Sequence, residues 1–521
     1  MSSYGVNDIA IGLPSLYIKP ENIARAVNKR KGVENLEEAV KNDTQKIVNG
    51  LGINEIRVPS FSESNLTFTA DAIYELIKHI ADSHIDKLLK EPINTIYYSS
   101  ESNPDRSRPE LESALLIVIS KLYDDSNPYA DKIAEMLRKS AIVPITFACA
   151  GGGIALIEAV SKIRALDTMN KKESAIVITA DTAVYEDYKA PNAEYTQGAG
   201  AVALWVTKDP ELFEVDMNYG EGSFNMPLAD FTKFGDEIPV VHGKFSERIY
   251  VYSMGKALEE LERDNKKEIS FFVTHVPFPK QAIYFASFLF AHRLRENESL
   301  LKILTSRAEV GEEPIKERFT ALMDRKFKSS NIRSTSERSF IEYIENDNEI
   351  NSYWEWLKRL RNTQEFKAFV EKLSINDALK LPSVIGNSYS SSALIALSSL
   401  LLNKDLKGRS GLLGFYGSGA IAKVFSINVL ADLNTAKQHI VIKDKDKVEI
   451  NDMQYEIIHR ELVRGDAKRT ITDTNLVKKD LAFLNLKSLP EGFRIIRRYE
   501  DGTGEFAYSY KDSIKELYVH Y

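Results

Sequence analysis

Hydrophobic and polar residues follow two different periods along the first 205 residues, and the two periods alternate. Stretches with apolar residues three and four positions apart predict amphipathic helices, whereas short runs of Val, Ile, Leu and Tyr predict buried strands. The helices are predicted at 65–80, at 108–122 and from just after Cys149 to about 166, and the strands at 93–98, 143–148, 175–179 and 199–206. This alternation is typical of a layered α/β fold.

A related order of elements returns later in the chain. A strand is predicted at 270–274, a helical run begins near 281, and another helix follows Asn387. The glycine-rich stretch GLLGFYGSGAIAKVF comes next. The fold is therefore predicted to consist of two similar α/β halves.

The length of 521 residues is enough for two or three packing units. We place the first half at 1–215 and the second at 216–521. A charged and then helical segment at about 290–375 is predicted to be an insertion of helices on the surface of the second half. The tail from Glu449 onward is mixed, and its charged stretches are predicted to be solvated.

Composition excludes several classes of function. A net charge of −7 argues against a general nucleic-acid binder, because phosphate contacts need a basic surface. No apolar run reaches the roughly 18 residues of a membrane span, and the first residues lack the pattern of a signal peptide. We therefore expect a cytoplasmic protein with neither a membrane nor a nucleic acid as its partner.

Cys149 is the only cysteine, which excludes an internal disulfide and a cysteine-based metal site. In VPITFACAGGGIAL a strand is predicted to end at Cys149 and a helix to begin within a few glycines. A thiolate is favoured near a helix N-terminus, and the thiolate is the form that attacks an acyl carbon. The competing interpretation is a buried small hydrophobe, with the glycines as a simple turn. The eight histidines form no HExxH-type pair, so no metal motif is predicted.

Three more polar residues stand at strand ends or in loops. Glu101 follows IYYSS, a placement that suits a general base but is also common for a surface residue. His275 follows SFFVT and is either a catalytic group or a satisfied core histidine. Asn387 follows Gly386 and could simply cap the next helix. Each residue alone leaves both interpretations open.

Taken in order, Glu101, Cys149, His275 and Asn387 resemble the 3-hydroxy-3-methylglutaryl-CoA synthase family. HVPFPK, GN-S-Y-x-x-S and GFYGSG stand around the later members of this set. The resemblance covers most of the chain; 290–375 and the far tail look unfamiliar. It implies a thiolase-like fold and an acyltransferase that condenses acetyl-CoA with acetoacetyl-CoA, a step of the mevalonate pathway of isoprenoid biosynthesis. It also implies a homodimer, with no metal or redox cofactor.

The resemblance implies a role for each catalytic residue. Cys149 would carry the acetyl group, and Glu101 would remove a proton from the acetyl methyl and later protonate the new tertiary alkoxide. His275 would orient and polarise the ketone of acetoacetyl-CoA. A positioned carboxylate and hydrogen bonds to a developing oxyanion are both needed, because an acetyl thioester is a very weak carbon acid.

The resemblance also implies a set of substrate-binding residues. Asn387 and Ser418 match positions along the acyl and acetoacetyl site, and Lys280 matches a lysine near CoA, where a cation suits a phosphate. Three further residues match family segments and are expected to support the pocket rather than to react: Asp181, Asp230 and Thr196.

The sequence departs from the family pattern in three places. Ala150 stands where the family often has Tyr, which predicts a roomier pocket wall or a different packing of the acetyl group. His242 stands within Val241-His242-Gly243, where the family usually reads V-D-G. The segment between His275 and Asn387 is longer than expected, which leaves room for a different acceptor or a partner contact.

Three alternatives remain open from the sequence. A β-ketoacyl synthase III-like enzyme shares a Cys, His and Asn set, but it decarboxylates a malonyl unit and needs no counterpart of Glu101. A related synthase that branches carrier-protein-bound β-ketoacyl chains is harder to separate, although an acidic carrier needs a basic docking patch. A catalytically silent thiolase-like scaffold is opposed by the retained Glu101, Cys149, His275 and Asn387.

Overall fold

The structure is a computed structural model, and it describes most of the chain. The described residues are 2–102, 107–186, 188–228, 230–232, 238–263, 266–295, 297, 299–300, 302, 304, 317–329, 336–444, 446–463, 475–499, 504–510 and 513–518.

Strands account for the first set of elements, numbered in chain order. They are β1 Tyr4–Gly12, β2 Leu16–Ile18, β3 Ile56–Val58, β4 Ile93–Ser99, β5 Ala141–Ile145, β6 Ser174–Thr182, β7 Ala199–Lys208, β8 Phe213–Val215, β9 Glu221–Asn225, β10 Phe231–Thr232, β11 Val240–Val241, β12 Phe271–Thr274, β13 Ser410–Gly417, β14 Ile421–Val429, β15 Ile440–Lys443, β16 Val448–Glu449, β17 Gly492–Arg498, β18 Gly504–Ser509 and β19 Ile514–Leu517.

Helices account for the second set. They are α1 Pro20–Lys31, α2 Leu36–Gln45, α3 Asn65–Ser83, α4 Ile85–Lys90, α5 Ser107–Asp124, α6 Ala130–Lys139, α7 Gly151–Thr168, α8 Gly243–Leu261, α9 Pro279–Leu294, α10 Phe319–Ser329, α11 Glu337–Asn346, α12 Asn348–Leu360, α13 Gln364–Lys372, α14 Ile375–Ala378, α15 Ser392–Asn403, α16 Leu433–His439, α17 Asp452–Val463 and α18 Leu476–Leu484.

One large sheet runs through both predicted halves. Its strands lie in the order β12-β13-β14-β8-β1-β7-β6-β4-β5, with β15 paired to β1 and β9 paired to β14. Two strand patterns repeat within it. In the first half β4 and β6 are parallel and β7 is antiparallel to β6, and in the second half β12 and β13 are parallel and β14 is antiparallel to β13. The predicted α/β fold of two similar halves is therefore confirmed, while the boundary at 215 stays a prediction.

Two buried helices occupy equivalent places in this repeat. Helix α7 lies against β4, β6, β7 and β13, and helix α15 lies against β12 and β13. Nearly all of α15 and the first part of α7 are buried, as expected for helix segments enclosed within a core. Cys149 immediately precedes α7 and Asn387 shortly precedes α15, so the same kind of position carries a candidate residue in each half.

The predicted elements of the first half are all present, with one difference that matters for the site. The apolar run at 143–148 was expected to be strand up to Cys149, but β5 ends at Ile145. Ala148 has a φ of 42°, in the left-handed region that a strand residue does not adopt. The chain therefore leaves the sheet and turns before it reaches the cysteine.

The described parts of the segment at 290–375 are helical, but they are not a layer lying outside the core. Its described helices α10, α11, α12 and α13 pack on α8 and α9 or on each other. Trp356 is only 1% exposed and belongs to the main hydrophobic core, as do Ile350 and Leu360. These apolar faces were hard to recognise among the many charged residues, because an amphipathic helix buries one stripe while its other face stays in water.

The tail also differs from its prediction. Strands β17, β18 and β19 form a small sheet whose Phe493 and Tyr508 pack on Tyr74 of α3. Arg494 is buried and forms an ion pair with Glu63. Charged residues of the tail are thus partly enclosed rather than solvated. Among the described residues, no helix combines the length and apolar character required to cross a membrane.

Candidate functional site

Cys149 lies at the tight connection between β5 and α7. After Ile145 the chain turns through Ala148, and the N–H of Ala150 donates to the carbonyl of Phe147 at 3.1 Å. Helix α7 begins at Gly151, two residues after the cysteine. The thiol is largely buried, with 8% of the residue exposed. The predicted placement at a helix N-terminus is therefore observed.

The three glycines after the cysteine permit close packing rather than a turn. All three lie in helix α7, and none has a positive φ. A Cβ at Gly151 would stand 2.0 Å from Ser99 Oγ, and one at Gly153 would stand 2.3 Å from the Phe415 ring. A Cβ at Gly152 would approach a backbone carbonyl in the loop before α15. These glycines let the nucleophile helix sit against strands of both halves.

Buried tyrosines surround the cysteine. Cys149 packs in one apolar cluster with Tyr185 and Tyr389, whose rings meet edge to face with centroids 6.2 Å apart. Burial raises the pKa of each phenol, and the negative charges of Cys149 and Glu101 raise it further. The charges of Glu101 and Cys149 therefore both raise the pKa of the same two phenols, so the predicted base and nucleophile lie in one site.

Asp181 joins the Glu101 loop to the loop before α15. Its Oδ1 accepts the backbone N–H groups of Glu101 at 2.8 Å and Ser102 at 2.7 Å. Its Oδ2 accepts from Ser390, at 3.0 Å from the backbone nitrogen and 2.5 Å from the hydroxyl. Asp181 itself is fully buried at the end of β6. Asp181 therefore connects residues of both halves, and its expected role in supporting the pocket stays a prediction.

Asn387 lies in the same site and bonds to two of the tyrosines. Its Nδ2 donates to Tyr185 Oη at 3.3 Å, and its Oδ1 accepts the N–H of Tyr389 at 3.0 Å. The backbone N–H of Asn387 donates to the carbonyl of Thr196 at 2.8 Å. The Thr196 hydroxyl donates to the carbonyl of Ala193 at 2.7 Å, so this threonine supports the loop that carries Asn387.

His275 is buried beside this group at the end of β12. Its Nδ1 lies 2.5 Å from Ser392 Oγ, the first residue of α15, and its carbonyl accepts from Tyr250 Oη at 2.7 Å. Burial lowers the pKa of His275 to about 3, so the imidazole is neutral near pH 7. A neutral ring donates a hydrogen bond without the cost of a buried charge.

Asp230 fixes the strand end that carries Ser418. Its carboxylate accepts from Tyr416 Oη at 2.7 Å, from the N–H of Gly419 at 2.9 Å and from Ser246 Oγ at 3.1 Å. Ser418 is half-buried between these contacts. Burial raises the pKa of Tyr416, and the charges of Asp230 and then Cys149 raise it further. The electrostatic effect of Cys149 on Tyr416 connects this strand end to the cysteine site.

Lys280 lies apart from the buried site, at the start of α9. It lines a surface groove of about 540 Å³ together with Lys367, Lys380 and Ser383. The chain connects groove and site twice, because Lys280 is five residues from His275 and Ser383 is four from Asn387. An extended chain spans at most about 3.6 Å per residue, so the groove begins within roughly 18 Å of the buried residues.

The structure shows where two of the three departures from the family pattern lie. Ala150 is fully buried, and a Cβ built on Gly417 would stand 3.0 Å from its Cβ, so the two residues pack closely. Its expected effect on the pocket wall or on the packing of the acetyl group stays a prediction. His242 is the residue before α8, where its side chain makes no capping hydrogen bond. Its backbone N–H donates to the carbonyl of Asp230 at 3.3 Å.

Sequence reasoning did not single out Tyr185, Tyr389, Tyr416 or Ser392, although all four bond to predicted site residues or shape the site. Three of them stand inside motifs quoted above, because Tyr389 and Ser392 belong to GN-S-Y-x-x-S and Tyr416 is within GFYGSG. Tyr185 stands four residues after Asp181. An aromatic residue with a polar tip inside such a motif was the available signal, because a buried phenol needs a partner.

This arrangement can perform acyl transfer and carbon–carbon bond formation. Cys149 at a helix N-terminus supplies a nucleophile and His275 a neutral imidazole, both buried, and the half-buried Glu101 supplies a carboxylate. Together with the repeated sheet and the two buried helices, it defines a condensing enzyme of the thiolase-like class.

Comparison with known proteins specifies the family. A family model described as hydroxymethylglutaryl-coenzyme A synthase C terminal matches residues 358–464. Hydroxymethylglutaryl-CoA synthase of Haloferax volcanii is 29% identical over 428 residues, which cover 80% of this chain and 85% of that protein. The enzyme of Enterococcus faecalis is 22% identical, with 90% and 94% covered.

The fold is shared with a solved structure titled as MvaS in complex with 3-hydroxy-3-methylglutaryl coenzyme A. The TM-score is 0.58 at 20% identity, and 98% of this chain and 100% of the other are covered. These matches confirm the resemblance to the hydroxymethylglutaryl-CoA synthase family. The match to the family model begins at 358, so the last part of the predicted insertion at 290–375 lies within the matched residues.

Proposed function

We propose that this protein condenses acetyl-CoA with acetoacetyl-CoA to 3-hydroxy-3-methylglutaryl-CoA and CoA, a step of the mevalonate pathway. One observation carries the proposal. The charges of Cys149 and Glu101 affect the same buried tyrosines, Tyr185 and Tyr389, in a site lined by residues of both halves. The relatives that cover most of the chain are named for this activity.

The first step is acylation. The Cys149 thiolate attacks the carbonyl carbon of acetyl-CoA, a new S–C bond forms, and CoA leaves as its thiolate, which takes up a proton. Cys149 precedes α7, whose dipole favours the anionic sulfur. The N–H groups of Ala150, Gly151 and Gly153 bond within the turn and the helix start, so the dipole rather than free donors supplies this effect.

The second step forms the carbon–carbon bond. The Glu101 carboxylate removes a proton from the acetyl methyl, and the resulting carbon attacks the ketone carbon of acetoacetyl-CoA. The ketone oxygen becomes an alkoxide and takes the proton back from Glu101. Water then cleaves the thioester to Cys149, which frees the sulfur and leaves a carboxylic acid on the product.

His275 is proposed to hydrogen-bond the ketone oxygen through Nε2. Ser392 Oγ accepts the N–H of Val276 at 3.2 Å, so its own proton is available for Nδ1 of His275 at 2.5 Å. That arrangement leaves the ring proton on Nε2. A fixed donor in a buried site stabilises the developing alkoxide more than the same donor does in water.

The remaining residues are proposed to bind and position the substrates. Asn387 and Ser418 supply an amide and a hydroxyl for carbonyl oxygens. Lys280, with Lys367 and Lys380 in the same groove, supplies positive charge for the phosphates of CoA. Asp181, Asp230 and Thr196 hold the loops that carry these groups.

A homodimer in the cytoplasm is part of this proposal. Strand β5, which leads to Cys149, stands at the end of the described sheet with β4 as its sheet neighbour. An open edge strand is suited to pairing with the same strand of a second copy. CoA thioesters are metabolites of the cell interior, which supports the cytoplasmic location, and no cofactor is needed for the steps above.

The experiment mixes purified protein with acetyl-CoA and acetoacetyl-CoA and follows acetoacetyl-CoA loss, CoA release and the intact mass of the protein. Wild type should turn over, and Cys149→Ala should never gain an acetyl group. Glu101→Gln should gain the acetyl group and then fail to condense, losing at least about 10³-fold in kcat. Glu112→Gln, an exposed glutamate of α5, is the matched control and should behave as wild type.

The outcomes separate the alternatives. If Cys149 is acetylated but only acetoacetyl groups on a carrier protein are consumed, the chain is a carrier-dependent branching enzyme. Consumption of malonyl thioesters with release of CO₂ would support a β-ketoacyl synthase III-like enzyme instead. A protein that never acetylates would be a silent scaffold, and the proposed function would be wrong.

A further inference from the structure

Three of the eight histidines lie around one aspartate, Asp8, away from the cysteine site. Asp8 Oδ1 lies 2.8 Å from His439 Nδ1, 3.1 Å from His79 Nε2 and 3.7 Å from His84 Nε2. The four ligand atoms all lie within 4.8 Å of one another. Asp8 and His439 are buried, while His79 and His84 are half-buried.

These distances suit a tetrahedral metal ion. Zn²⁺ binds imidazole nitrogens and carboxylate oxygens at about 2.0–2.1 Å, so neighbouring ligand atoms of a tetrahedral site lie about 3.3 Å apart. The three separations from Asp8 Oδ1, from 2.8 to 3.7 Å, fall on both sides of this value. Three neutral imidazoles and one carboxylate also form a donor set that Zn²⁺ prefers to Mg²⁺ or Ca²⁺.

Hydrogen bonding alone leaves part of this cluster unsatisfied. The buried Nε2 of His79 has no hydrogen-bond partner of adequate geometry among the described residues. The same oxygen of Asp8 faces all three rings, while its Oδ2 accepts from Asn7 Nδ2 at 2.9 Å. His79 Nε2 lies 3.1 Å from Asp8 Oδ1 without the alignment of a hydrogen bond, and an ion between the rings and the carboxylate accounts for this close contact.

A second carboxylate lies behind two of the rings. Glu211 is 3.8 Å from Nδ1 of His84 and 3.6 Å from Nε2 of His439, in each case the nitrogen that does not face Asp8. Metal-binding histidines commonly present their other nitrogen to a carboxylate, which orients the ring and increases its basicity. Both histidines therefore have one nitrogen toward the common centre and the other toward Glu211.

The backbone builds this site from three separate segments. Asp8 lies where the pairing of β1 with β7 shifts register, an irregularity that redirects side chains. His79 and His84 come from the end of α3 and the residue after it, and His439 ends α16. An ion bound here would join the first strand, the long helix and the C-terminal part of the chain.

We propose that Asp8, His79, His84 and His439 bind one structural Zn²⁺ ion. The site is separate from the condensation chemistry. Asn65, at the start of α3, bonds to Ser102 beside Glu101, and His79 follows 14 residues later. At 1.5 Å per residue the two sites are therefore about 21 Å apart along the helix. Four protein ligands leave no open position, which is typical of structural zinc.

The test uses the full chain purified without a histidine tag and stripped with a chelator. Co²⁺ is added as the probe, because a tetrahedral nitrogen and oxygen site gives cobalt strong visible absorption. We expect one equivalent to bind with a tetrahedral spectrum, Zn²⁺ to displace it, and Zn²⁺ to raise the melting temperature of the stripped protein. His84→Gln should weaken Co²⁺ binding at least about 100-fold.

Two further variants complete the design. His242→Gln removes a histidine outside the cluster and should bind cobalt as wild type does. Glu211→Gln changes a side chain that is 49% exposed, and should weaken binding by about 10- to 100-fold without removing a ligand. An octahedral cobalt spectrum, a melting temperature unaffected by Zn²⁺, or unchanged affinity in both His84→Gln and Glu211→Gln would each overturn the proposal.

Discussion

The two ends of helix α3 hold polar clusters that are built in different ways. At its start, Asn65 bonds to Ser102 and Thr182 at the edge of the cysteine site, where the Asp181 carboxylate accepts backbone N–H groups and hydroxyls. At its end, His79 and His84 face one oxygen of Asp8, and the contact of His79 Nε2 with that oxygen is poorly aligned for a hydrogen bond. The first cluster is joined by hydrogen bonds between protein groups, whereas the proposed ion completes the second.

The difference follows from what each cluster must do. A catalytic site has to hold reacting groups in place while leaving room for substrate, so its partners are backbone N–H groups and hydroxyls. Asp181 shows this, since every one of its bonds fixes a loop rather than a ligand. In a structural metal site, by contrast, all of the donor atoms bind the ion.

The largest expected effect comes from breaking the catalytic end at Asp181. In Asp181→Asn an amide NH₂ replaces one acceptor oxygen and faces the donors of Glu101 and Ser102 or of Ser390. We expect kcat to fall by roughly 10²–10³-fold, because Glu101 moves away from the acetyl group. We also expect the free energy of unfolding to fall by about 2–5 kcal/mol. Steady-state kinetics and denaturant titration measure the two effects.

Cobalt binding provides the contrast for this variant. Asp181→Asn should keep one tetrahedral cobalt per chain, because α3 separates the two clusters by about 21 Å. Asp405→Asn, an exposed aspartate in a loop, should leave kinetics, stability and cobalt binding unchanged. A normal kcat in Asp181→Asn would show that the carboxylate does not position Glu101.

The positions of the proposed catalytic residues at the ends of strands were largely predictable from the sequence, for a physical reason. Glu101, Cys149 and His275 each stand a few residues after an apolar run, and the ends of parallel strands bring such positions to one edge. The turn at Ala148 was not predictable, since an alanine carries no signal for a φ of 42°. The close approach to the Phe415 ring that Gly153 permits depends on the second half and is invisible locally.

The cluster of three histidines and Asp8 at the other end of α3 could not be predicted from the sequence. Its ligands stand at positions 8, 79, 84 and 439, a spacing that no local zinc motif contains. His439 reaches Asp8 only because β15, which follows it directly, pairs in parallel with β1. That pairing joins residues more than 400 positions apart, and periodicity within short windows carries no information about it.

A second prediction concerns how His275 changes the free energy of unfolding at acid pH. Burial lowers the pKa of His275 to about 3, against about 6.5 in an unfolded chain. Between these values the unfolded state binds a proton that the native state does not, so His275 makes stability fall as the pH is lowered through this window. The slope is about 1.4 kcal/mol per pH unit for one proton.

The comparison variant is His275→Gln. Denaturant titrations between pH 4 and 6 should show a slope smaller than that of wild type by about one proton. The ring of Tyr250 has its centroid 6.3 Å from that of His275, and burial raises the pKa of this phenol, so Tyr250 does not titrate in this range. Equal slopes in the two proteins would mean that His275 is protonated in the native state.

The smallest expected effect concerns the N-terminus of α8, near Asp230 at the catalytic end. His242 precedes Gly243 and makes no side-chain cap, where the family usually has Asp. In His242→Asp the carboxylate can accept an N–H of the first turn and interacts favourably with the helix dipole. We expect a gain of about 0.5–1 kcal/mol in the free energy of unfolding, while His242→Ala should match wild type. Denaturation midpoints distinguish the two, and a loss in His242→Asp would indicate that the neighbouring Asp230 repels the new charge.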